Sequence, residues 1–148
     1  HRDLHSFPTR RSSDLEKQFV DVLAERLETR DFDVTIAYSG DEALEAVKSK
    51  PLDVVVLDVL MPGRDGIDTL VEIKRMKPIL EVIMLTGNAT VESAVEGMKI
   101  GAFDYLMKPT ETKDLVGKIV MAYKRKAEQE ERIRKAEIDR ILSTKGWG

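Results

Sequence analysis

The chain of 148 residues contains no cysteine. This absence excludes disulfide bonds, thiolate metal sites and cysteine nucleophiles, and it suits a reducing cytoplasm. No apolar run approaches the length of a membrane-spanning segment, and the N-terminal residues, which include Arg10 and Arg11, lack the apolar core of a secretory signal. We therefore expect a cytoplasmic protein without a membrane partner.

An excess of positive charge is also missing. The formal net charge is -3 and the isoelectric point is about 5.5, whereas a nucleic-acid-binding surface requires a basic face. Charged residues make up 34% and hydrophobic residues 42% of a chain that has the length of one domain. These values favour one globular domain with no direct nucleic-acid partner.

A continuous apolar run, residues 54–57, lies between Pro51 and the turn Pro62-Gly63. Such a run fits a strand that is buried on both faces, which is typical of parallel sheets covered by helices. Asp58 follows the run directly, and ligands of open α/β sheets bind beyond the carboxyl ends of the strands. Asp58 is therefore a candidate site residue, although an isolated aspartate at this point can also be a simple turn residue.

Helical and strand patterns alternate from Glu16 onward. A capping box at Ser39 and Glu42 begins the second helix, and Gly101 stands where a left-handed C-cap is expected after the fourth. The predicted helices cover residues 16–30, 40–50, 67–77, 91–100 and 115–142, and the predicted strands cover residues 34–37, 54–57, 81–85 and 103–107. Alternation with short links predicts an α/β fold, a doubly wound parallel sheet with helices on both faces.

Polar side chains stand at three predicted strand ends, namely Asp58, Thr86 and Lys108. Because parallel strands place their carboxyl ends on one edge of the sheet, we expect these groups to converge. A carboxylate beside a hydroxyl and an ammonium suits covalent phosphoryl transfer, with Mg²⁺ as the natural cation. Taken singly, Thr86 can be a turn residue and Lys108 a solvated lysine.

These residues and their neighbours resemble a bacterial two-component response-regulator receiver domain, from about Glu16 to Lys126. The resemblance rests on Asp58 with Met61-Pro62-Gly63 and Asp65-Gly66, on Thr86-Gly87, on residues 101–105 (Gly-Ala-Phe-Asp-Tyr) and on Lys108-Pro109. It implies a five-stranded parallel sheet in the flavodoxin-like order 2-1-3-4-5.

The resemblance also implies roles for these residues. Asp58 would accept a phosphoryl group from a sensor histidine kinase or a phosphotransfer protein, Thr86 would be the switch hydroxyl, and Lys108 would bind the phosphate. The Lys108-Pro109 peptide bond is expected to be cis. Tyr105 matches an aromatic switch whose ring moves inward when Thr86 is drawn to the phosphate, although a half-exposed tyrosine on an edge strand also explains it. The signal would pass through the face made by helix 4, strand 5 and helix 5.

The N-terminal segment departs from the family pattern. The family has two adjacent acidic residues here, and this chain has Asp14 and Leu15. The resemblance implies a Mg²⁺ site formed by Asp14, Asp58 and the backbone carbonyl of Leu60, which Leu15 is expected to weaken. Residues 10–13, Arg-Arg-Ser-Ser, stand where the buried first strand should be, and an unpaired buried arginine costs several kcal/mol.

Residues 1–15 have neither helical nor strand periodicity and are predicted to be coil, so that the first strand is degraded or missing. They resemble the conceptual translation of a sequencing-adapter oligonucleotide, and we hypothesise that the natural gene encodes an apolar strand and an Asp-Asp pair here. The alternative is a naturally degenerate receiver. The expected organisation is a non-native-looking segment at 1–15, a receiver domain at 16–126, and a charged helical extension with a tail at 127–148.

The C-terminal segment is rich in Lys, Arg and Glu, and its apolar residues hold no strict heptad. A solvated extension of the last helix is the simplest interpretation. The alternative is a short partner-binding or dimerising helix, since Ile138, Ile141 and Leu142 cluster on one side, and a homodimer is possible on that basis.

Two functions remain. The first is a phosphoacceptor receiver, whose only enzymatic activity would be its own phosphorylation and dephosphorylation, and whose output partner is unknown. The second is a phosphorylation-independent interaction module, which Leu15 favours. A dinucleotide or phosphatase enzyme is disfavoured, because no Gly-x-Gly-x-x-Gly follows a strand and the paired-aspartate phosphatase pattern is absent at Asp58-Val59-Leu60.

Overall fold

The computed structural model describes residues 2–8, 14–59, 64–87 and 91–144, of which residues 2–8, 14–17, 59, 64–65 and 91–93 are described by their backbone alone. Strands and helices alternate along the chain. The strands are β1 (Arg2–Pro8), β2 (Phe32–Ile36), β3 (Val54–Val59), β4 (Glu81–Thr86) and β5 (Asp104–Met107). The helices are α1 (Asp14–Glu28), α2 (Gly40–Ser49), α3 (Arg64–Met76), α4 (Val91–Ile100) and α5 (Thr112–Thr144).

The five strands form one sheet in the order β2-β1-β3-β4-β5. Every neighbouring pair is parallel, with Val56 of β3 opposite Ile83 of β4 and Leu85 opposite Leu106 of β5. The doubly wound parallel sheet and its flavodoxin-like order 2-1-3-4-5 are therefore confirmed. The order changes direction beside β3 and β1, so the carboxyl end of β3 lies at the crevice where such sheets place their ligands.

The expectation that residues 2–8 are coil and that the first strand is missing is corrected by β1. The backbone of Arg2–Pro8 lies between β2 and β3, with Leu4 opposite both Val34 and Val54. Main-chain hydrogen bonding explains this placement, because β2 and β3 each present a row of backbone donors and acceptors that need partners. Periodicity failed to indicate the strand because its sequence, Arg-Asp-Leu-His-Ser-Phe-Pro, has neither a continuous apolar run nor a regular alternation of apolar and polar residues. The expected strand position, residues 10–13, lies outside the described residues.

The core consists of two layers, one on each face of the sheet. Side chains of β3 alternate between them, with Val55 and Leu57 on one face and Val54 and Val56 on the other. The first layer includes residues of α2 and α3, and the second includes residues of α1 and α5, chiefly Leu23, Leu27, Leu115 and Ile119. Burial on both faces is what the continuous apolar run predicts.

The helix ends follow the local signals in the sequence. Ser39 is the N-cap of α2, and its hydroxyl accepts a hydrogen bond from the backbone N–H of Glu42 at 3.2 Å. Gly101 ends α4 with a φ of +125°, which only glycine adopts without strain. At Gly97 a β-carbon would overlap the end of the Met84 side chain, so this flexible side chain would have to shift to admit an alanine.

Helix α5 spans 33 residues, from Thr112 to Thr144. Its first turns bury Leu115, Ile119 and Ala122 against the sheet, whereas residues 130–144 are all exposed. Between these parts, Lys126 lies 3.4 Å from Asp53, so a charge pair fixes the helix to the start of β3. None of the helices in the described parts of the chain is long and apolar enough to cross a membrane.

Candidate functional site

The carboxylate of Asp58 is fully buried, at 0% exposure, near the carboxyl end of β3. Its strand is central in the sheet, and Asp58 lies opposite Leu85 of β4 and Pro8 of β1. The apolar run before it folds as a strand because both faces are covered, and that strand carries the carboxylate to the crevice. A charge at this depth is tolerated in proteins when a partner of opposite sign lies close by.

That partner is Lys108, the residue directly after β5. Its ammonium nitrogen Nζ lies 2.6 Å from Oδ1 of Asp58, and its side chain is 17% exposed. The backbone N–H of Lys108 donates a hydrogen bond of 2.8 Å to the carbonyl of Thr86, which fixes the end of β5 against the end of β4. The Lys108-Pro109 peptide bond is cis.

Thr86 is the last residue of β4 and is buried. It lies opposite Val59, the residue that follows Asp58, so the structure brings Asp58, Thr86 and Lys108 to one edge of the sheet. The turn interpretation of Asp58 and the solvated-lysine interpretation of Lys108 do not describe these positions.

Tyr105 lies on β5, which is the edge strand of the sheet, and its side chain is 39% exposed. The ring borders a shallow cleft of about 350 Å³ between β5 and α4, together with Ala94, Val95, Met98 and Lys99. The half-exposed position agrees with both interpretations of this residue made from the sequence.

A further residue at the site is Phe19 of α1. The Nζ atom of Lys108 lies 4.3 Å from the centroid of the Phe19 ring, within the range of a cation–π contact. The helical spacing of Phe19 identifies it as a core residue, and its ring does pack against the core layer of α1 and α5. No local pattern signals the contact with Lys108, because the two residues are far apart in the chain.

Two expected metal ligands cannot be placed. The backbone of Asp14 begins α1, but its side chain and that of Leu15 lie outside the described side chains, and Leu60 lies outside the described residues altogether. Within the side chains that are described, no three His, Cys, Asp or Glu residues gather into a metal-binding group. Asp58 is thus the one expected ligand whose carboxylate position is known.

A second buried carboxylate, Glu81, lies at the amino end of β4, whereas Asp58, Thr86 and Lys108 lie at the carboxyl ends of their strands. Its side chain is 1% exposed, and Arg125 of α5 donates hydrogen bonds to both of its oxygens, one of them at 2.8 Å. The hydrogen bond to Glu81 raises the pKa of Arg125, while burial lowers the pKa of Lys74, whose Nζ lies 3.9 Å from Glu81. Glu81 is therefore neutralised by two cations at the beginning of β4, far from Asp58.

Comparisons with known proteins agree with this arrangement. Residues 14–120 match the family model of the response regulator receiver domain. The chain is 47% identical over 78 residues to the transcriptional regulatory protein ZraR of Salmonella typhimurium. This alignment covers 53% of the chain and 18% of that protein. It is 45% identical over 84 residues to ZraR of Escherichia coli K12, in an alignment that covers 57% of the chain and 19% of that protein. The chain thus spans less than a fifth of the length of these relatives.

Solved structures show the same fold. A response regulator receiver domain protein from Clostridium thermocellum is 33% identical, with a TM-score of 0.76 over 87% of this chain and 99% of that one. A response regulator protein from Burkholderia pseudomallei, solved with a phosphorylated aspartic acid, a calcium ion and citrate, is 25% identical, with a TM-score of 0.70 over 99% of this chain and 86% of that one. The family match, the fold and the ion pair at the carboxyl end of β3 together show that this chain belongs to the response regulator receiver domain family.

Proposed function

We propose that Asp58 accepts a phosphoryl group from a sensor histidine kinase or a phosphotransfer protein. The observation that carries the proposal is the buried carboxylate at the carboxyl end of β3, with the Lys108 ammonium 2.6 Å from its Oδ1. A permanent structural pair could lie anywhere in the sheet, as Glu81 and Arg125 do. The Asp58–Lys108 pair instead lies at the ligand-binding edge.

The proposed reaction is an in-line transfer. A carboxylate oxygen of Asp58 attacks the phosphorus of a phosphohistidine, the new P–O bond forms as the P–N bond breaks, and the imidazole leaves with its electron pair and takes up a proton. The Lys108 ammonium pairs with the carboxylate before the transfer. It then binds the equatorial phosphoryl oxygens, where the negative charge develops. The Thr86 hydroxyl donates a hydrogen bond to one of them.

Magnesium fits the donor chemistry of this site. Asp58 offers a hard carboxylate oxygen, and Mg²⁺ needs only one or two carboxylates because it retains several waters. Asp58, Asp14 and the Leu60 carbonyl would hold the ion, which neutralises negative charge on the phosphoryl oxygens when bound. Leu15 removes an acidic group from the expected ligand set, so we propose that Mg²⁺ binds weakly in this chain.

We propose that Tyr105 carries the output of the switch. Once phosphorylated, Asp58 would draw Thr86 toward the phosphoryl oxygens and leave space behind the hydroxyl. The Tyr105 ring, which borders the cleft between α4 and β5, would turn into that space. The face formed by α4, β5 and α5 would thereby change its shape for a partner protein. This output is supported by the half-exposed position of Tyr105.

The proposal is tested by incubating the chain with acetyl phosphate and Mg²⁺ and measuring the intact mass. We expect a slow gain of one phosphoryl group that disappears in Asp58→Asn and survives in the matched control Asp68→Asn, whose carboxylate is exposed on α3. Leu15→Asp should increase the rate. Labelling that persists in Asp58→Asn contradicts the proposal. The absence of labelling, with equal partner affinity of wild type and Asp58→Asn, favours the phosphorylation-independent module.

A further inference from the structure

We infer that Phe19 is a positioning residue for Lys108. The inference rests on the proposed phosphoacceptor function and adds a part to its site, namely an aromatic ring of α1 that fixes the ammonium by a cation–π contact. The Lys108 ammonium lies between two groups, the carboxylate of Asp58 at 2.6 Å and the centroid of the Phe19 ring at 4.3 Å.

Burial makes the contact effective. The Lys108 side chain is only 17% exposed, so its ammonium has lost much of its hydration. A cation over an aromatic face is attracted more strongly when water is excluded than at an open surface. The negative face of the Phe19 ring therefore supplies part of the charge stabilisation that water would otherwise provide.

The ring itself is held in place. Phe19 packs against the core layer that contains Leu23, Leu115 and Ile119, so its position is set by α1 and α5. Lysine has a long, flexible side chain, whereas a transition state is best stabilised by charges that are already oriented before the reaction. A fixed ring thus holds a mobile cation at the place where the charge of the phosphoryl group develops.

A competing interpretation treats Phe19 as a core residue whose ring happens to lie near Lys108. The two interpretations differ in what matters about the ring. Packing depends on its volume and shape, whereas positioning depends on the electron density of its face. Fluorine substituents withdraw that electron density with little change of shape, and they therefore separate the two.

The experiment replaces Phe19 by phenylalanines that carry one, two and three ring fluorines and measures the rate constant of labelling by acetyl phosphate with Mg²⁺. We expect the rate constant to fall stepwise, by roughly tenfold for three fluorines, as a desolvated cation–π contact is removed. Urea unfolding of each variant reports packing separately. A rate constant that stays unchanged while wild type is labelled at Asp58 overturns the inference and leaves the proposed function intact.

The chain supplies a matched control in Phe103. Its ring lies 4.6 Å from the guanidinium carbon of Arg125, which pairs with Glu81 at the amino end of β4. The same fluorine series at Phe103 should leave the labelling rate constant unchanged. An equal fall in both series would overturn the inference, since it would show a general effect of fluorination on the fold. A wild-type chain without any labelling would overturn both the inference and the proposed function.

A second readout does not depend on the reaction. Protons above an aromatic face are shifted upfield by the ring current, so the ε-methylene protons of Lys108 should be shifted in wild type and return to ordinary values in Phe19→Leu. The shift should persist in Phe19→Tyr, which retains the ring face. Lys108 protons with ordinary shifts in wild type would overturn the contact itself, whatever the labelling rate.

Discussion

The ammonium of Lys108 lies 2.6 Å from Oδ1 of Asp58, and the two groups differ in their access to water. The carboxylate is fully buried, whereas the lysine side chain is 17% exposed. Breaking a buried pair by removing one partner leaves an uncompensated charge, and the cost depends on which charge stays behind. The pair is therefore asymmetric, since the ammonium can be rehydrated more easily than the carboxylate.

We predict that Lys108→Met lowers the free energy of unfolding by about 3 kcal/mol, because it leaves the buried Asp58 carboxylate without its cation. Asp58→Asn should cost less, and the double variant should be more stable than the sum of the single effects predicts, by about 1–3 kcal/mol. Urea unfolding at neutral pH measures all three. Additive effects would show that the two groups do not interact.

Thr86→Ala should separate phosphorylation from output. We expect this variant to retain labelling at Asp58 while its Tyr105 ring keeps the exposure of the unphosphorylated state, because no hydroxyl is drawn toward the phosphoryl oxygens. Tyrosine ring signals in NMR spectra, recorded with and without acetyl phosphate, measure the movement. Thr86→Ser, which keeps the hydroxyl, is the control. A Tyr105 signal that moves in Thr86→Ala as it does in wild type would refute the coupling.

The ion pair between Arg125 and Glu81, at the amino end of β4, should contribute to stability and not to phosphorylation. Arg125→Ala leaves the buried Glu81 with Lys74 at 3.9 Å as its remaining described cation. Since Arg125 is itself 45% exposed, we expect a loss of about 2 kcal/mol, less than for a fully buried pair. Arg134→Ala removes an exposed pair with Glu131 on the same helix and should cost under about 1 kcal/mol. Equal losses in urea unfolding would contradict this difference.

Tyr38 links the segment after β2 to α1, because its hydroxyl donates a hydrogen bond to Oδ1 of Asp21. This bond, followed by burial, raises the pKa of Tyr38 above its ordinary value of 10.0. Because the pKa is raised, the protonated Tyr38 hydroxyl contributes its full stabilisation of the fold below pH 10.0. This stabilisation is lost as the pH rises through the raised pKa. The sign follows because the folded state holds the phenolic proton more tightly than the unfolded state.

An absorbance titration of the tyrosines tests this effect. Compared with wild type, Tyr38→Phe should lose a component that ionises above pH 10.0, and Asp21→Asn should shift that component back toward its ordinary value. If the component lost in Tyr38→Phe ionises at or below pH 10.0, the hydrogen bond does not hold the proton.

Much of the fold is predictable from the sequence because local and tertiary requirements coincide. The apolar run before Asp58 is a buried central strand, and Ser39 and Gly101 end their helices by general rules of capping. The convergence of Asp58, Thr86 and Lys108 follows from the geometry of parallel strands, which needs no knowledge of side-chain packing.

Three features escaped sequence reasoning for physical reasons. β1 has neither a continuous apolar run nor a regular apolar–polar alternation, so its sequence gives no strand signal. The contact between Phe19 and Lys108 depends on how α1 packs beside the end of β5. The pairing of Arg125 with Glu81 likewise joins residues far apart in the chain, and in a highly charged segment nothing distinguishes Arg125 from its neighbours.

The central claim is that Asp58 itself becomes phosphorylated. An aspartyl phosphate is an acyl phosphate, and borohydride reduces it to the alcohol homoserine, which marks the acceptor permanently. After treatment with acetyl phosphate, Mg²⁺ and borohydride, peptide mapping should find homoserine at position 58 and at no other aspartate. Homoserine at a different position, or its absence in a chain that carries a phosphoryl group, would contradict the claim.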